Sequence, residues 1–239
     1  MPLHSIRPLP GGAHLGLWHL TETPTALWPQ LATPEAYRPL LPARADGPRQ
    51  AQWLAGRVLV QHLLAAVAPG AGSCLLQNEA SGRPFLTSGT DLGPAVSLSH
   101  SGEWVAALLA PAGTALGVDV EVVRDKALRI ARKFLTVEEL AATELLSNAQ
   151  PILSIELFSL LWSAKETLYK LAGQRGIIFR QNLLLDLPPA PTPPATWPSV
   201  GELPARLELA DRSSRHRICY FRPAEGYVLT YCYSLSSIA

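Results

Sequence analysis

The sequence predicts an α+β fold built from two similar halves, residues 1–113 and 114–239. Each half is a small antiparallel sheet packed on one long helix, and together they form a pseudo-dimer. Three observations carry this prediction. Two long apolar-striped segments, 49–68 and 151–172, have helical spacing. Short runs with period-two alternation surround each of them. The stretch 96–110, with E-W-V-A-A-L-L, has a weak echo in 216–233, with G-Y-V-L-T-Y-C. At 239 residues the chain has ample length for a core in each half.

In the first half, H-L-G-L-W-H-L at 14–20 alternates imperfectly and reads as the first strand. Residues 21–47 are rich in Pro, Thr and Ala, with a short helix expected near 34–38. The helix over 49–68 follows. Trp53, Leu54, Val58, Leu59, Leu63 and Leu64 form its apolar stripe, Arg49, Gln52, Arg57 and Gln61 lie toward its other side, and Pro69-Gly70 ends it. Residues 78–86, N-E-A-S-G-R-P-F-L, read as a turn and a short extended piece. Residues 96–110 read as a hairpin turning at Ser101-Gly102.

In the second half, T-A-L-G-V-D-V-E-V-V at 114–123 is a strand. Residues 124–135 are basic, with Arg129, Arg132 and Lys133 on one helical face. Thr136 then opens T-V-E-E, a capping-box pattern closed by Glu139. The helix over 151–172 is the most apolar in the chain and is stopped by Gly173. A helix this apolar should be largely buried, which makes Lys165, Glu166 and Lys170 unexpected. Glu166 and Lys170, four apart, share a face and can pair. Residues 177–187 read as a strand and 188–204 as a proline-rich excursion. Residues 205–210, 216–222 and 226–233 read as closing strands.

Composition narrows the function classes. A formal charge of +1 with 16% charged residues excludes a nucleic-acid binder driven by bulk charge. Three cysteines without metal-ligand spacing fit a reduced cytoplasmic protein better than a disulfide framework. The first ten residues lack a secretory pattern and no apolar run is long enough to span a membrane, so a cytoplasmic protein without membrane association is expected.

The chemistry-bearing residues concentrate in the second half. On a strand, Asp119 and Glu121 project from one face, within reach of each other. An exposed polar face is the ordinary reason for such alternation. Paired like charges in a strand also survive where a cation sits between them, and Glu166 offers a third carboxylate. Three hard oxygen donors suit Mg²⁺, which keeps waters and shares substrate phosphates. His100, Lys165, Lys170, Arg83 and Arg57 add the positive charge that phosphoryl transfer uses. If the two halves pack as a pseudo-dimer, S-H-S at 99–101 is expected to share a cleft with the D-V-E strand and the K-E helix. No Walker-A loop, kinase signature or G-x-G-x-x-G is present.

These motifs together resemble the 4'-phosphopantetheinyl transferase superfamily, in its long, pseudo-dimeric, surfactin-synthetase-activating type. G-V-D-V-E stands at 117–121 and W-S-A-K-E-T-L-Y-K at 162–170. S-H-S stands at 99–101, G-R-P at 82–84, and a paired-arginine helix runs from Arg49 to Arg57. The resemblance implies a holo-[acyl-carrier-protein] synthase type enzyme. It would move phosphopantetheine from coenzyme A to a serine of an apo acyl or peptidyl carrier protein, releasing adenosine 3',5'-bisphosphate.

By the same resemblance, Asp119, Glu121 and Glu166 look like the Mg²⁺ ligands, Glu121 directly or through water. Glu166 or a metal-bound water would take the serine proton, and Lys170 would offset charge on the leaving phosphate. Ser99 and His100 resemble contacts to the 3'-phosphate and Arg83 a contact to the adenosine end. Arg49, Arg57 and Lys165 complete the expected coenzyme A contacts. The family often has several basic residues ahead of the first long helix, where this chain offers only Arg38, Arg44 and Arg49. The basic segment 124–133 is the expected docking surface for an acidic carrier, and a monomer is expected. Two rival readings use the same residues: a Mg²⁺-dependent phosphohydrolase acting on coenzyme A, and a non-catalytic coenzyme A or carrier-binding protein.

Overall fold

The computed structural model describes residues 2–42, 46–67, 74–88, 91–147, 151–187 and 198–234. The chain is α+β and divides into two compact units, one running to Leu116 and the other from Gly117 to Ser234.

The first unit opens with β1 (Leu3–Pro8) and β2 (His14–His19), continues through the short helices α1 (Pro24–Leu27) and α2 (Pro34–Tyr37), and reaches the long helix α3 (Gly47–Val67). Then come β3 (Leu75–Asn78), β4 (Pro84–Ser88), β5 (Asp91–Leu92), β6 (Ala95–Ser101) and β7 (Trp104–Ala110). One sheet has the order β1-β2-β7-β6 and a second the order β3-β4-β5, and every pairing is antiparallel. The apolar stripe of α3 packs on the larger sheet, and Leu54, Val58, Leu59 and Leu63 are buried in one core with Trp18, Val105, Ala107 and Leu109. The approach is close at Gly16, where a Cβ would stand 2.9 Å from Leu59 Cδ1. Asp46 starts α3, its Oδ1 accepting from the Arg49 N–H at 3.0 Å.

The second unit contains β8 (Leu116–Val122), α4 (Lys126–Phe134), α5 (Val137–Ser147), α6 (Pro151–Ala172), α7 (Phe179–Asn182), β9 (Leu183–Leu185), β10 (Val200–Glu208), β11 (Ser213–Phe221) and β12 (Tyr227–Tyr233). Its sheet order is β8-β12-β11-β10-β9. The apolar side of α6, with Leu157, Leu161, Ala164 and Leu168, is buried. Hydroxyls also join helix to sheet: Thr167 Oγ1 donates to the Thr230 carbonyl at 3.1 Å, and the Ser163 and Thr230 hydroxyls lie 2.9 Å apart. Gly173, at φ 63°, ends α6 in the left-handed conformation. The T-V-E-E capping box forms in both directions: the Glu139 N–H donates to Thr136 Oγ1 at 3.1 Å, and the Thr136 N–H to Glu139 Oε2 at 2.8 Å.

Four sequence expectations need correction. β1 was not foreseen, because an edge strand with a half-exposed pattern shows little alternation. Residues 177–187 are only partly strand. The Asn182 side chain accepts from the Ile178 N–H at 2.7 Å and closes the single turn of α7 before β9 begins. β10 starts at Val200, so the end of the proline-rich stretch belongs to the sheet, with the Pro204 carbonyl accepting from Asp186 N–H at 2.9 Å. Asp119 does not lie on an exposed polar face, being 4% exposed. Residues 188–197, Arg44 and the expected helix stop at Pro69-Gly70 lie outside the described residues. Among the described residues no helix is long and apolar enough to cross a membrane.

Candidate active site

The site is a contact between one strand and one helix. On α6, Ser163, Glu166, Thr167 and Lys170 recur at three- and four-residue spacing and share a face. On β8, Asp119 and Glu121 alternate with Val118 and Val120. Gly117 permits the closeness of the two elements, since a Cβ there would stand 2.1 Å from the Thr167 carbonyl oxygen. Real Cβ atoms never come that near a backbone oxygen, so no side chain fits unless helix and strand separate.

Lys170 Nζ donates to Asp119 Oδ1 at 2.8 Å and to the Val118 carbonyl at 2.9 Å. The expected pairing of Lys170 with Glu166 along the helix is thus replaced by one that crosses to the strand. Glu121 Oε1 accepts from the Trp162 indole N–H at 3.0 Å. The indole is held in turn by Phe134, edge-on at 5.1 Å, and by Phe179, stacked at 5.5 Å. Burial and the nearby Asp119 charge push the Glu166 carboxyl up to about 7, with Glu121 adding to the rise and Lys170 and Lys126 opposing it. A carboxyl that titrates near neutral pH can take a proton from a hydroxyl and release it again.

Lys165, expected beside the carboxylates, points elsewhere. It is wholly buried, and its Nζ donates to Glu139 Oε2 at 2.6 Å and to the Phe134 carbonyl at 2.8 Å. Burial lowers its pKa, and Glu139 opposes that shift. Glu139 Oε1 also accepts from the Leu185 N–H at 2.7 Å, so one carboxylate ties the start of α5 to α6 and β9. Sequence reading found this capping box but had no signal that its glutamate would also receive a lysine.

The remaining candidates belong to the first unit. On β6, Ser99 is buried and His100 exposed, as neighbours on a strand must differ. Arg83 is exposed in the turn between β3 and β4, and Arg49 is exposed in the first turn of α3. Arg57 departs from expectation: placed by its spacing on the polar side of α3, it is 5% exposed. Its Nη1 donates to the Trp53 carbonyl at 3.0 Å and its Nη2 to Asn78 Oδ1 at 3.2 Å. The guanidinium stacks 3.3 Å from the Trp53 ring centroid, and burial lowers its pKa to about 9 against the opposing effect of Tyr37. Arg38 pairs with Glu35 at 2.8 Å.

Among the described residues no three His, Cys, Asp or Glu side chains form a group that could hold a metal ion as they stand. The donor chemistry nevertheless suits a small hard cation. All three candidates are carboxylates, and Asp119 and Glu121 both raise the proton affinity of Glu166. Burial is the first cause of that rise and neighbouring negative charge the second, and a divalent ion beside the carboxylates would offset both.

Fold and site define an α+β protein with a carboxylate and lysine cluster where a strand meets a long helix. The sequence model of the 4'-phosphopantetheinyl transferase superfamily matches residues 115–232, the stretch that carries this cluster. Over that stretch, just under half of its length, the chain is similar to the 4'-phosphopantetheinyl transferase superfamily. Its similar relatives include two named 4'-phosphopantetheinyl transferase AcpT. That of Escherichia coli O157:H7 is 33% identical over 133 residues, covering 55% of this chain and 60% of the relative. That of Salmonella typhi is 33% identical over 139 residues, covering 57% and 65%. The 4'-phosphopantetheinyl transferase psf-1 of Bacillus pumilus is 30% identical over 149 residues, covering 62% and 58%. The chain therefore spans less than two thirds of the length of these relatives.

Proposed function

We propose that this protein transfers the 4'-phosphopantetheine group from coenzyme A to a serine hydroxyl of an apo acyl or peptidyl carrier protein, in a Mg²⁺-dependent reaction. The observation that carries this reading is the Glu166 carboxyl, raised to about 7 among Asp119, Glu121 and Lys170, on the stretch that matches the superfamily. The transferase names of the relatives support it.

In this reading Glu166 accepts the proton of the carrier serine as Oγ bonds to the phosphorus bearing the pantetheine arm. The bond from that phosphorus to the bridging pyrophosphate oxygen breaks, and adenosine 3',5'-bisphosphate leaves. Lys170, kept beside Asp119 at 2.8 Å, supplies a fixed positive charge near the charge that develops on the leaving group. Asp119, Glu121 and Glu166 would hold Mg²⁺, which when bound neutralises the pyrophosphate and polarises the reacting phosphorus. Ser99 and His100 are assigned to the 3'-phosphate, Arg83 to the adenosine end and Arg49 to a further phosphate contact. Arg57 and Lys165 are not assigned to coenzyme A, because both are buried in other hydrogen bonds. The exposed basic side of α4, with Arg129, Arg132 and Lys133, is assigned to the acidic carrier.

We also read the two units as similar halves of a monomeric, cytoplasmic enzyme. Each sets a glycine of one strand, Gly16 or Gly117, against its long helix, and each pairs antiparallel strands beside it.

Intact mass spectrometry of an apo carrier protein, incubated with this protein, coenzyme A and Mg²⁺, tests the reading. The expected result is a gain of one phosphopantetheine on the carrier, lost without Mg²⁺ and with Glu166→Gln. Cleavage of coenzyme A with no gain on any of several acyl and peptidyl carriers would establish the hydrolase instead. Binding without turnover would establish a non-catalytic member.

A further inference from the structure

We propose that Arg57 and Asn78 are positioning residues for Arg83: a guanidinium–amide relay from the middle of α3 that fixes the turn from which Arg83 reaches the nucleotide end of coenzyme A. The inference rests on the assignment of Arg83 to coenzyme A given above.

A buried guanidinium is expensive, and a hydrocarbon of similar size would fill the same space without the desolvation penalty. What a hydrocarbon cannot do at position 57 is donate to Asn78. Arg57 Nη2 makes that bond at 3.2 Å while Nη1 holds the Trp53 carbonyl at 3.0 Å, and the Trp53 ring covers the guanidinium plane at 3.3 Å. The fork is therefore fixed in direction before it reaches the turn.

Asn78 is the last residue of β3 and uses both ends of its amide. Oδ1 accepts from Arg57, and Nδ2 donates to the Gly82 carbonyl at 2.9 Å. Because Arg57 can only donate, the amide has one orientation, and its NH₂ must face the turn. Gly82 takes φ 91°, a conformation that favours glycine, and its N–H donates to the Glu79 carbonyl at 2.8 Å. Arg83 is then held by its main chain at both ends. Its carbonyl accepts from the Glu79 N–H at 2.9 Å, and its N–H donates to Ser81 Oγ at 3.2 Å. Its side chain is exposed and makes no ion pair among the described residues. A second clamp holds the same strand, the Leu76 N–H donating to the Tyr37 hydroxyl at 3.0 Å. The hairpin is thus fixed to the helical layer of its unit while one arginine is left free to reach a ligand.

The test uses the full-length protein with coenzyme A, varied at saturating carrier. Asn78→Ala is the main variant, since Asn78 is exposed and its loss leaves α3 intact. Arg57→Met, Arg83→Ala and the Asn78→Ala/Arg83→Ala double variant accompany it. Arg83→Ala and Asn78→Ala should each raise KM for coenzyme A and the inhibition constant of adenosine 3',5'-bisphosphate by about 5- to 20-fold. kcat and carrier KM should stay within about twofold of the parent, since no contact to the reacting atoms is lost. The double variant should be no weaker than Arg83→Ala alone, because the relay acts only through Arg83. Arg57→Met should repeat the KM change in whatever fraction folds.

A structural role alone would lower melting temperature and active fraction but leave KM where it was. Parent-like KM in Asn78→Ala together with a raised KM in Arg83→Ala would overturn the relay and leave the coenzyme A assignment standing. Full additivity in the double variant would overturn it as well. Parent-like KM in Arg83→Ala would overturn both, with the fault in the assignment of Arg83.

Discussion

Lys170 Nζ and Asp119 Oδ1 stand 2.8 Å apart, joining the last turns of α6 to the middle of β8. Asp119 is almost fully buried and Lys170 about a quarter exposed, so the pair reaches the surface through the lysine alone. This contact also leaves Glu166, one turn back on the helix, with less positive charge beside it than its own sequence neighbour could supply.

Glu166 should therefore make stability depend on pH in an unusual direction. Its folded pKa is raised to about 7, above the ordinary carboxylate value near 4.3. Between those values the folded state binds more proton than the unfolded state, so stability falls as pH rises through the window. Denaturant titrations of metal-free protein at pH 5 and pH 8 should differ by roughly 1–3 kcal/mol for this reason, allowing for partial solvent screening. Glu166→Gln should remove most of that difference, and millimolar Mg²⁺ should oppose it. An unchanged slope in the variant would show that the carboxyl titrates normally.

Lys165 should be a stability residue whose removal leaves coenzyme A affinity alone. Its ion pair with Glu139 is fully buried at 2.6 Å. Lys165→Met leaves a buried carboxylate without its cation and should cost about 3–5 kcal/mol in urea denaturation. Adding Glu139→Gln should recover part of the loss, since it removes the unpaired buried charge while the amide oxygen still accepts from one of the two N–H groups, of Thr136 or Leu185. A loss below about 1 kcal/mol would mean that the pair is not closed in solution.

The two glycines beneath the long helices should differ in tolerance. Gly117→Ala drives a Cβ against the Thr167 backbone oxygen and should destabilise by about 3 kcal/mol or more, or abolish transfer by moving Glu166 away from Asp119. Gly16→Ala meets the ends of Leu59 and Leu63, which can rotate, and should cost about 1 kcal/mol. Thermal melts and transfer assays of both variants check the order. A Gly117→Ala protein with parent-like activity and stability would refute the close approach.

Charge reversal on α4 should separate the two substrates. Arg129→Glu with Arg132→Glu should raise carrier KM by about tenfold at low salt, and less at high salt, while coenzyme A KM holds. Arg129 pairs with Asp125 at 3.4 Å at the surface, so little stability is lost. Steady-state kinetics with each substrate varied in turn would expose a change in the wrong KM.

How much of this was legible in the sequence follows from the kind of signal each feature leaves. α3, α6, the β6–β7 hairpin and the T-V-E-E cap were readable because apolar period, turn glycines and cap spacing are local. The Asp119 and Glu121 alternation with a third carboxylate at Glu166 was readable for the same reason. Which cation pairs with which anion was not. Lys165 lies about 100° around the helix from Glu166 and about 140° from Lys170, but the sequence does not say what faces either side, and only packing sends Lys165 to Glu139 and Lys170 to Asp119. Arg57 misled because its charge suggested the polar side, whereas its helical angle falls between those of Trp53 and Leu54, where Trp53 stacking and Asn78 hold it inside. α7 and the early start of β10 were hidden by prolines and short apolar runs that fit several local structures.

The chain also carries its own optical label. The Trp162 indole donates to Glu121 from inside an aromatic column that includes Phe134 and Phe179. An indole whose N–H partner changes charge state emits at a different wavelength and yield. Subtracting the spectrum of Trp162→Phe isolates it from the other five tryptophans, since the chain has six. Titrating Mg²⁺ while reading this emission would then test by light whether the carboxylate cluster takes up a cation, without a radiolabelled substrate or a carrier protein present.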